Sequence, residues 1–427
     1  MDFAGGRVKK KILLRAPVLT RSGYGEQSRF ALRALRSKPE IFDIYIQPMR
    51  WGDTSWLIED DDERQWIDQT IERTIGMLQS HPPNTPLFDI SLQVTIPSEF
   101  ENMATTNIGY TAGIEATQVH PSWLEKCAIM DKVITISQFS KTVFDATSYE
   151  GVNQSTGEKV KLECAVPVSY VNYPVKTYET LPDLELELEY DVNFLTVAQF
   201  GPRKNLQNTI KWFVEEFQND EVGLVIKTNF AKNCTMDREA CYSSIQEIVH
   251  SVNKDATCKV YLIHGDMLDN EIHALYNHPK LRAMLCLPHG EGFGLPMFEA
   301  AYSGMPVITV GWSGQLDYLI DSNKKEQFYN VSYDIRHIQE QAVWDGVLMK
   351  EAMWAFAKES SAKTQMRRCY DDILNNSGFV ATSAAYAEEL KERFSEEKLL
   401  SQLADEIHTP DPELDAWLSK LAAIEQL

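Results

Sequence analysis

Long apolar runs are missing from these 427 residues. None approaches the ~20 needed to span a bilayer. The run after Lys9-Lys10-Lys11 is broken at Arg15 and Pro17, which argues against a signal peptide. Cysteine is sparse and unpatterned: seven residues, an odd number, without CxxC spacing, and with Cys234 and Cys241 seven apart. That excludes a disulfide scaffold and the common zinc modules, and it predicts reduced thiols in a soluble cytoplasmic protein. Positive charge is also short, 41 Lys and Arg against 62 Asp and Glu, for a net charge of −21. A field of that sign repels polyanions and membrane surfaces unless the basic residues are gathered in one place. They are gathered: residues 1–38 hold ten basic and two acidic side chains, leaving the remainder at −29. Fixed-period repeats and low-complexity segments are absent too, so collagen and coiled coil are excluded as descriptions of the whole.

What is present is globular. A hydrophobic fraction of 44% with 24% charged residues suits a chain that buries a sizeable core. The length suits two domains of about 200 residues each. An apolar strand at 12–18 leads to the turn Ser22-Gly23-Tyr24-Gly25. A helix from about 26 to 36 follows, stopped by Ser37-Lys38-Pro39, and then a second strand at 41–47. Strand, glycine turn, helix, strand opens a doubly wound α/β layer. Residues 59–63 read as a solvated acidic patch, and short strands are expected at 90–95, 106–110 and 132–136. Between 150 and 190 the pattern dissolves into polar, proline-punctuated sequence, and the interdomain connection is placed there. Alternation then resumes, with strands at 193–198, 223–228, 259–265, 283–288 and 306–310 and helices between them. From about 339 onward the pattern is helical and acidic, with no further strand. The predicted organisation is a Rossmann-like domain over 1–180, a second over 181–375 and a helical tail over 376–427. Two such sheets face each other across a central cleft at the carboxyl ends of their strands, the default place for a ligand.

The most informative segment is His289-Gly290-Glu291-Gly292-Phe293-Gly294-Leu295-Pro296-Met297-Phe298-Glu299, which follows a buried strand and opens a helix. Its glycines let the backbone approach a ligand, and the free amides at the helix start favour phosphate. Pro296 suits a first helical turn. Glu291 before the turn and Glu299 inside the helix put two carboxylates at different depths of one cleft. Each can accept hydrogen bonds from vicinal hydroxyls, as a sugar and a ribose require. A tight βα turn with a glutamate complementing the helix dipole explains the same residues without a ligand. Gly23-x-Gly25 before Ser28 is a weak dinucleotide fingerprint. A nicotinamide site needs an acid at the end of the second strand, and that strand ends Gln47-Pro48-Met49-Arg50.

Glu-x7-Glu enclosing Gly-Phe-Gly-Leu-Pro, followed by Ser303-Gly304-Met305-Pro306-Val307-Ile308, resembles the donor-site signature of retaining GT-B glycosyltransferases, specifically glycosyltransferase family 4. Val133–Phe144 is similar to the family segment that closes the N-terminal domain, and Val197–Asn205 to the first strand and loop of the donor domain. The resemblance covers most of the chain. It implies a GT-B fold and retention of anomeric configuration, with attack from the leaving-group face. It implies no cofactor beyond a nucleoside-diphosphate sugar as co-substrate, UDP-sugar ahead of GDP-sugar. Glu291 would bind the hydroxyls of the transferred sugar, helped by the amides of Gly292, Phe293 and Gly294, with Leu295 beside them. Glu299 would bind the ribose, and Lys204 would neutralise the diphosphate and stabilise charge developing on the leaving group. The family usually has an arginine five residues before that lysine; here the position is Gln199. Arg203 or Lys227 would supply the missing charge, although Lys227 also reads as a solvated strand-end lysine. Gly23 and Gly25 match the family's glycine loop across the cleft from the donor phosphates. His120 lies where the family often keeps a histidine or glutamate near the reacting carbon, and Glu115 competes for that role. Both also read as structural loop residues. Asp317 resembles the acid that closes the donor pocket, or caps a short helix. No Asp-x-Asp stands at a strand end and the family is usually metal-independent, so no metal is expected and a chelator should leave activity intact.

Acceptors in this fold bind the N-terminal domain, where the positive charge gathers. Arg29, Arg33 and Arg36 share one face of the first helix, and with Arg21 and Lys9–Lys11 they could hold a phosphate backbone; they could equally be a solvated face. The expected acceptor residues are Arg21, Arg29, Arg33 and Glu115. Residues 15–25, with Trp51-Gly52 and Trp56, look like phage-encoded members of this group, some of which glycosylate hydroxymethylated cytosine in their own DNA. The expected acceptor is therefore 5-hydroxymethylcytosine in phage DNA, in the host cytoplasm. The net charge weighs against tight DNA binding. A glycan, lipid or small-molecule acceptor is the alternative, and a non-catalytic nucleotide-sugar-binding protein is a third reading.

Overall fold

The computed structural model describes residues 9–83, 85–152 and 157–408. Its first sheet contains β1 (Lys10–Ala16), β2 (Phe42–Pro48), β3 (Ile90–Val94), β4 (Thr106–Tyr110) and β5 (Lys132–Thr135). A hairpin of β6 (Ser148–Val152) and β7 (Lys159–Glu163) precedes the sixth strand, β8 (Val168–Tyr170). The strand order is β2-β1-β3-β4-β5-β8 with every pairing parallel. Helices α1 (Gly23–Arg36), α2 (Asp62–Gln79), α3 (Pro121–Cys127) and α4 (Gln138–Ala146) cross between the strands. The second sheet contains β9 (Asn193–Val197), β10 (Gly223–Lys227), β11 (Lys259–Ile263), β12 (Leu281–Leu285), β13 (Val307–Val310) and β14 (Tyr329–Val331). Its order is β11-β10-β9-β12-β13-β14, again all parallel. The connections are α5 (Leu206–Phe217), α6 (Thr235–Asn253), α7 (Asp269–Tyr276), α8 (Leu295–Tyr302) and the short α9 (Leu316–Leu319). Parallel sheets covered on both faces need near-continuous apolar strands, and β10, with Leu224-Val225-Ile226, and β13 supply them.

Several elements differ from the sequence reading. Gly23 and Gly25 lie inside α1, whose N-cap Ser22 accepts from the Gly25 amide; they do not form a separate loop. The acids at 59–63 are the approach to α2, with Asp61 as N-cap and Asp62 and Glu63 in the first turn, where the helix dipole favours them. The region expected to be linker holds β6, β7 and β8. The hairpin is exposed almost throughout, so it shows no apolar alternation to read. The stretch after 339 does contain a strand: β16 (Met353–Ala357) pairs antiparallel with β15 (Tyr333–His337). Five apolar residues alone do not distinguish a strand from a buried helical turn.

The tail is α10 (Glu359–Asn375), α11 (Gly378–Arg393) and α12 (Glu396–Ile407); residues 409–427 lie outside the described residues. Helix α11 stays with the second domain, where Arg393 donates to the Asp317 carbonyl at 3.0 Å. Helix α12 returns to the first domain, where Glu406 pairs with Lys132 and accepts from Ser169 at 2.9 Å. Leu399, Leu403 and Ile407 bury against the same core as Phe30 and Leu35 of α1. Asp317 and Arg203 of the second domain also reach across to Gln138 and Glu115 of the first.

Candidate active site

In the second sheet the strand order reverses direction between β9 and β12, so the loops after these two strands diverge and leave a crevice. The β9–α5 loop carries Arg203 and Lys204; the β12–α8 loop carries residues 286–294. The two are zipped together, with the His289 amide donating to the Arg203 carbonyl at 2.8 Å and Asn205 Nδ2 to the Leu287 carbonyl at 3.0 Å. Gly294 enters α8 with φ +88, a left-handed conformation that favours glycine. A Cβ on Gly290 would stand 2.4 Å from the Glu115 carbonyl oxygen, and one on Gly292 2.7 Å from that of Ala112. These glycines therefore let the loop touch the backbone of the first domain.

Glu291 is buried at 6% exposure. Its carboxylate accepts from Lys204 Nζ at 2.6 Å and from Arg203 Nη1 at 3.0 Å. Burial alone would raise this carboxyl, but the two cations outweigh it and hold it below the ordinary range. Arg203 Nη1 also donates to the Gly290 carbonyl at 2.8 Å and lies 3.3 Å from the Glu115 carboxylate. The Glu291 amide donates to Ser313 Oγ at 2.9 Å, and Ser313 donates on to Gln315. Glu299 sits deeper. Tyr276 donates to it at 3.1 Å, and its carboxyl is pushed up to about 7, chiefly by burial, with Lys176 opposing and Glu26 and Asp269 adding to the rise. Lys176, from the connecting segment, bridges Glu26 at 3.0 Å and Asp269 at 2.9 Å. A cleft between two Rossmann-like sheets thus holds a buried carboxylate clamped by two cations and a second carboxyl inside α8. Such a set can grip a diphosphate and the hydroxyls on either side of it.

Comparison with known proteins bears on this geometry. Residues 185–341 match the family model for glycosyl transferases group 1. A glycosyltransferase from Rickettsia africae superposes with a TM-score of 0.57 at 12% identity, over 93% of this chain and 98% of that one. Sucrose-phosphate synthase from Thermosynechococcus elongatus gives 0.55 at 13% identity over the same shares. Anabaena HepE, solved with UDP and glucose, gives 0.52 at 12% identity, also over 93% and 98%. The fold is GT-B. No curated protein matches the chain by sequence. The match to the group 1 model over residues 185–341 supports a glycosyltransferase, and the neighbours share its fold.

The GT-B cleft gathers some of the expected residues and not others. Glu291, Lys204 and Arg203 meet directly, and Glu115 joins them from the opposite domain. Lys227 stands at the end of β10, its pKa lowered by burial and by Arg21 against the pull of Asp266. Gln199 donates to the Phe230 carbonyl at 2.6 Å. His120 is the N-cap of α3, its Nδ1 accepting from the Ser122 amide at 3.2 Å. Asp317 accepts from the Gln138 amide and from Asn172, both at 2.8 Å, so it caps α4 across the cleft.

The basic face of α1 is not a free cationic surface. Arg29 is buried, donates to the Val18 and Thr20 carbonyls and pairs with Glu26; Arg33 forks onto Glu63 with two bonds of 2.8 Å. Arg21 pairs with Glu59 and donates to the Met267 carbonyl of the second domain at 2.7 Å.

Sequence reasoning missed His289 as a framework residue. Its Nδ1 donates to the Ala355 carbonyl at 2.7 Å, its Nε2 is 3.1 Å from Gln339 Nε2, and its ring stacks on Trp354 at 4.9 Å. Those partners come from the β15–β16 hairpin, which the sequence pattern did not announce. Lys176 and Tyr276 were missed for the same reason: their roles exist only once distant segments meet.

Proposed function

We propose that the chain is a retaining glycosyltransferase that moves a sugar from a nucleoside-diphosphate sugar, UDP-sugar foremost, to an acceptor hydroxyl without a metal ion. The observation that carries this reading is the clamp of Lys204 and Arg203 on the buried Glu291. A diphosphate entering there exchanges partners with the glutamate: the two cations turn to the phosphates, and the freed carboxylate accepts from hydroxyls of the sugar. As the glycosidic C–O bond breaks, the charge appearing on the departing diphosphate meets cations already in place. Arg203 takes the part of the arginine that Gln199 does not provide, and Glu299 accepts from the ribose.

The sequence favoured 5-hydroxymethylcytosine in DNA as acceptor. That reading leaned on a likeness to phage enzymes and on a cationic helix face, and Arg29 and Arg33 of that face are spent on Glu26 and Glu63. The acceptor proposed here is accordingly a hydroxyl on a glycan, lipid or small molecule. The decisive experiment measures nucleoside diphosphate released from UDP- and GDP-sugars, with and without EDTA. Release that survives EDTA and disappears in Glu291→Ala is expected; full release from Glu291→Ala removes the site assignment.

A further inference from the structure

Three aromatic side chains without a part in the donor site, Trp51, Trp56 and Tyr24, stand in the loop after β2 and at the start of α1. Residues 49–58 leave β2 and run along the exit of β1 and the entry of α1. The Met49 amide donates to the Ala16 carbonyl at 3.0 Å, the Arg21 amide to that of Ser55 at 2.7 Å and the Leu57 amide to that of Leu19 at 2.8 Å. This pinned loop carries Trp51 and Trp56. Trp51 lies on the Tyr24 ring with centroids 4.1 Å apart, and Trp56 is 50% exposed. Tyr24 ties the rings to the reaction centre. Its hydroxyl lies 2.9 Å from Thr111 Oγ1 and accepts from the Ala112 amide at 3.2 Å. Ala112 is the residue whose carbonyl Gly292 packs against. From the same loop neighbourhood Arg21 reaches the second domain. Beside Tyr24, a Cβ on Gly23 would meet open space.

We propose that Trp51 and Trp56, with Tyr24 behind them, form the acceptor subsite, and that the acceptor presents a neutral sugar ring. This rests on the glycosyltransferase reading and names its acceptor class. Aromatic faces bind the apolar C–H face of a sugar, and a few polar groups then fix its orientation. A nucleobase stacks on the same rings, so the local charge decides. Between residues 50 and 63 stand six acids and one arginine; Asp53, Glu59 and Glu63 pair with Arg50, Arg21 and Arg33, which leaves Asp60, Asp61 and Asp62 as the surplus of negative charge. A polyanion enters against this field, whereas a neutral ring does not.

Saturation-transfer NMR on the full chain, with methyl α- and β-glycosides of glucose, galactose and mannose as probes, tests the site independently of turnover. Saturation of ring protons from at least one glycoside is expected. It should fall at least fivefold in Trp51→Ala and in Trp56→Ala and be retained in Trp56→Phe. Because Trp56 is exposed, its variants remain informative if Trp51→Ala does not fold. Saturation from no glycoside, or saturation untouched by Trp56→Ala, overturns the proposal. So does binding of a hydroxymethylcytosine oligonucleotide by a chain that saturates no glycoside. UDP release from UDP-glucose, measured on the same samples, reports on the transferase reading alone: its absence with saturation intact leaves the sugar subsite standing and removes the transfer.

Discussion

Two glutamates eight residues apart are driven in opposite directions by their neighbours. Glu291 faces Lys204 and Arg203 and is held as the anion; Glu299 is pushed up from 4.5 to about 7 by burial, with Lys176 resisting. Replacing Glu291 by Gln keeps its volume but removes the charge that both cations face. The expected outcome is a loss of about 100-fold in kcat for donor turnover, typical of removing one preorganised electrostatic contact, read in a nucleoside-diphosphate release assay. Glu299 makes a prediction in pH. A carboxyl raised in the folded state holds its proton more tightly than the unfolded chain does. Its contribution to stability is complete below the unfolded value and is lost as pH rises through 7. Thermal unfolding should show Tm falling between about pH 4.5 and 7 and levelling off above that, and Glu299→Gln should flatten that slope.

The elements that hold the site are partly ones that do no chemistry. The β15–β16 hairpin accepts the Nδ1 proton of His289 at the Ala355 carbonyl and donates the Ala355 amide to the His289 carbonyl at 2.9 Å. Since a carbonyl can only accept, Nδ1 carries the proton, and burial keeps the ring neutral. His289→Phe preserves the stack on Trp354 and removes both side-chain bonds. It is expected to lower kcat about tenfold while Tm moves only a few degrees, because the loss falls on the placement of Gly290 and Glu291. Trp354 is fully buried, and truncating it to Ala should instead cost about 3–5 kcal/mol of stability, measured by urea unfolding. Gly314 is a third kind of support. A Cβ there would stand 1.9 Å from the Gly292 carbonyl oxygen, so Gly314→Ala must push the glutamate loop out of place.

Across the whole molecule the two domains share apolar packing, with Tyr173 on Phe293 and Phe139 on Trp312, and a set of polar contacts. Asp317 receives the Gln138 amide, Arg203 meets Glu115, Arg21 donates to Met267, and Lys176 bridges Glu26 to Asp269. Asp317→Ala removes the cap of α4 that comes from the other domain. Hydrogen exchange at the Gln138 amide should quicken in that variant while β12 amides keep their protection; unchanged exchange at Gln138 would mean that the contact does not hold the domains together. The overall charge of −21 makes its own prediction. With Arg29 and Arg33 neutralised locally, duplex DNA should not be retained at 0.15 M salt in a filter-binding assay, where the Debye length is about 8 Å.

By itself the sequence determined the α/β class, two sheets of alternating strand and helix, and the glutamate-bearing βα turn. Local rules suffice for these: apolar runs of strand length, a helix entered at Gly294 and Pro296, and glycines where backbones must touch. The helix Leu206–Phe217 was legible to the residue because its buried side recurs with helical period. Only the tertiary structure decided what each charge is for. Arg29 and Arg33 read as a cationic face until Glu26 and Glu63 take them, and that His120 caps α3 shows only in the fold. Lys176 has no function in sequence at all; it acquires one between Glu26 and Asp269, each separated from it by more than ninety residues. Local pattern carries information about period and backbone freedom. Charge pairing and burial depend on which distant segments meet, and that is settled only by the packing of the two sheets.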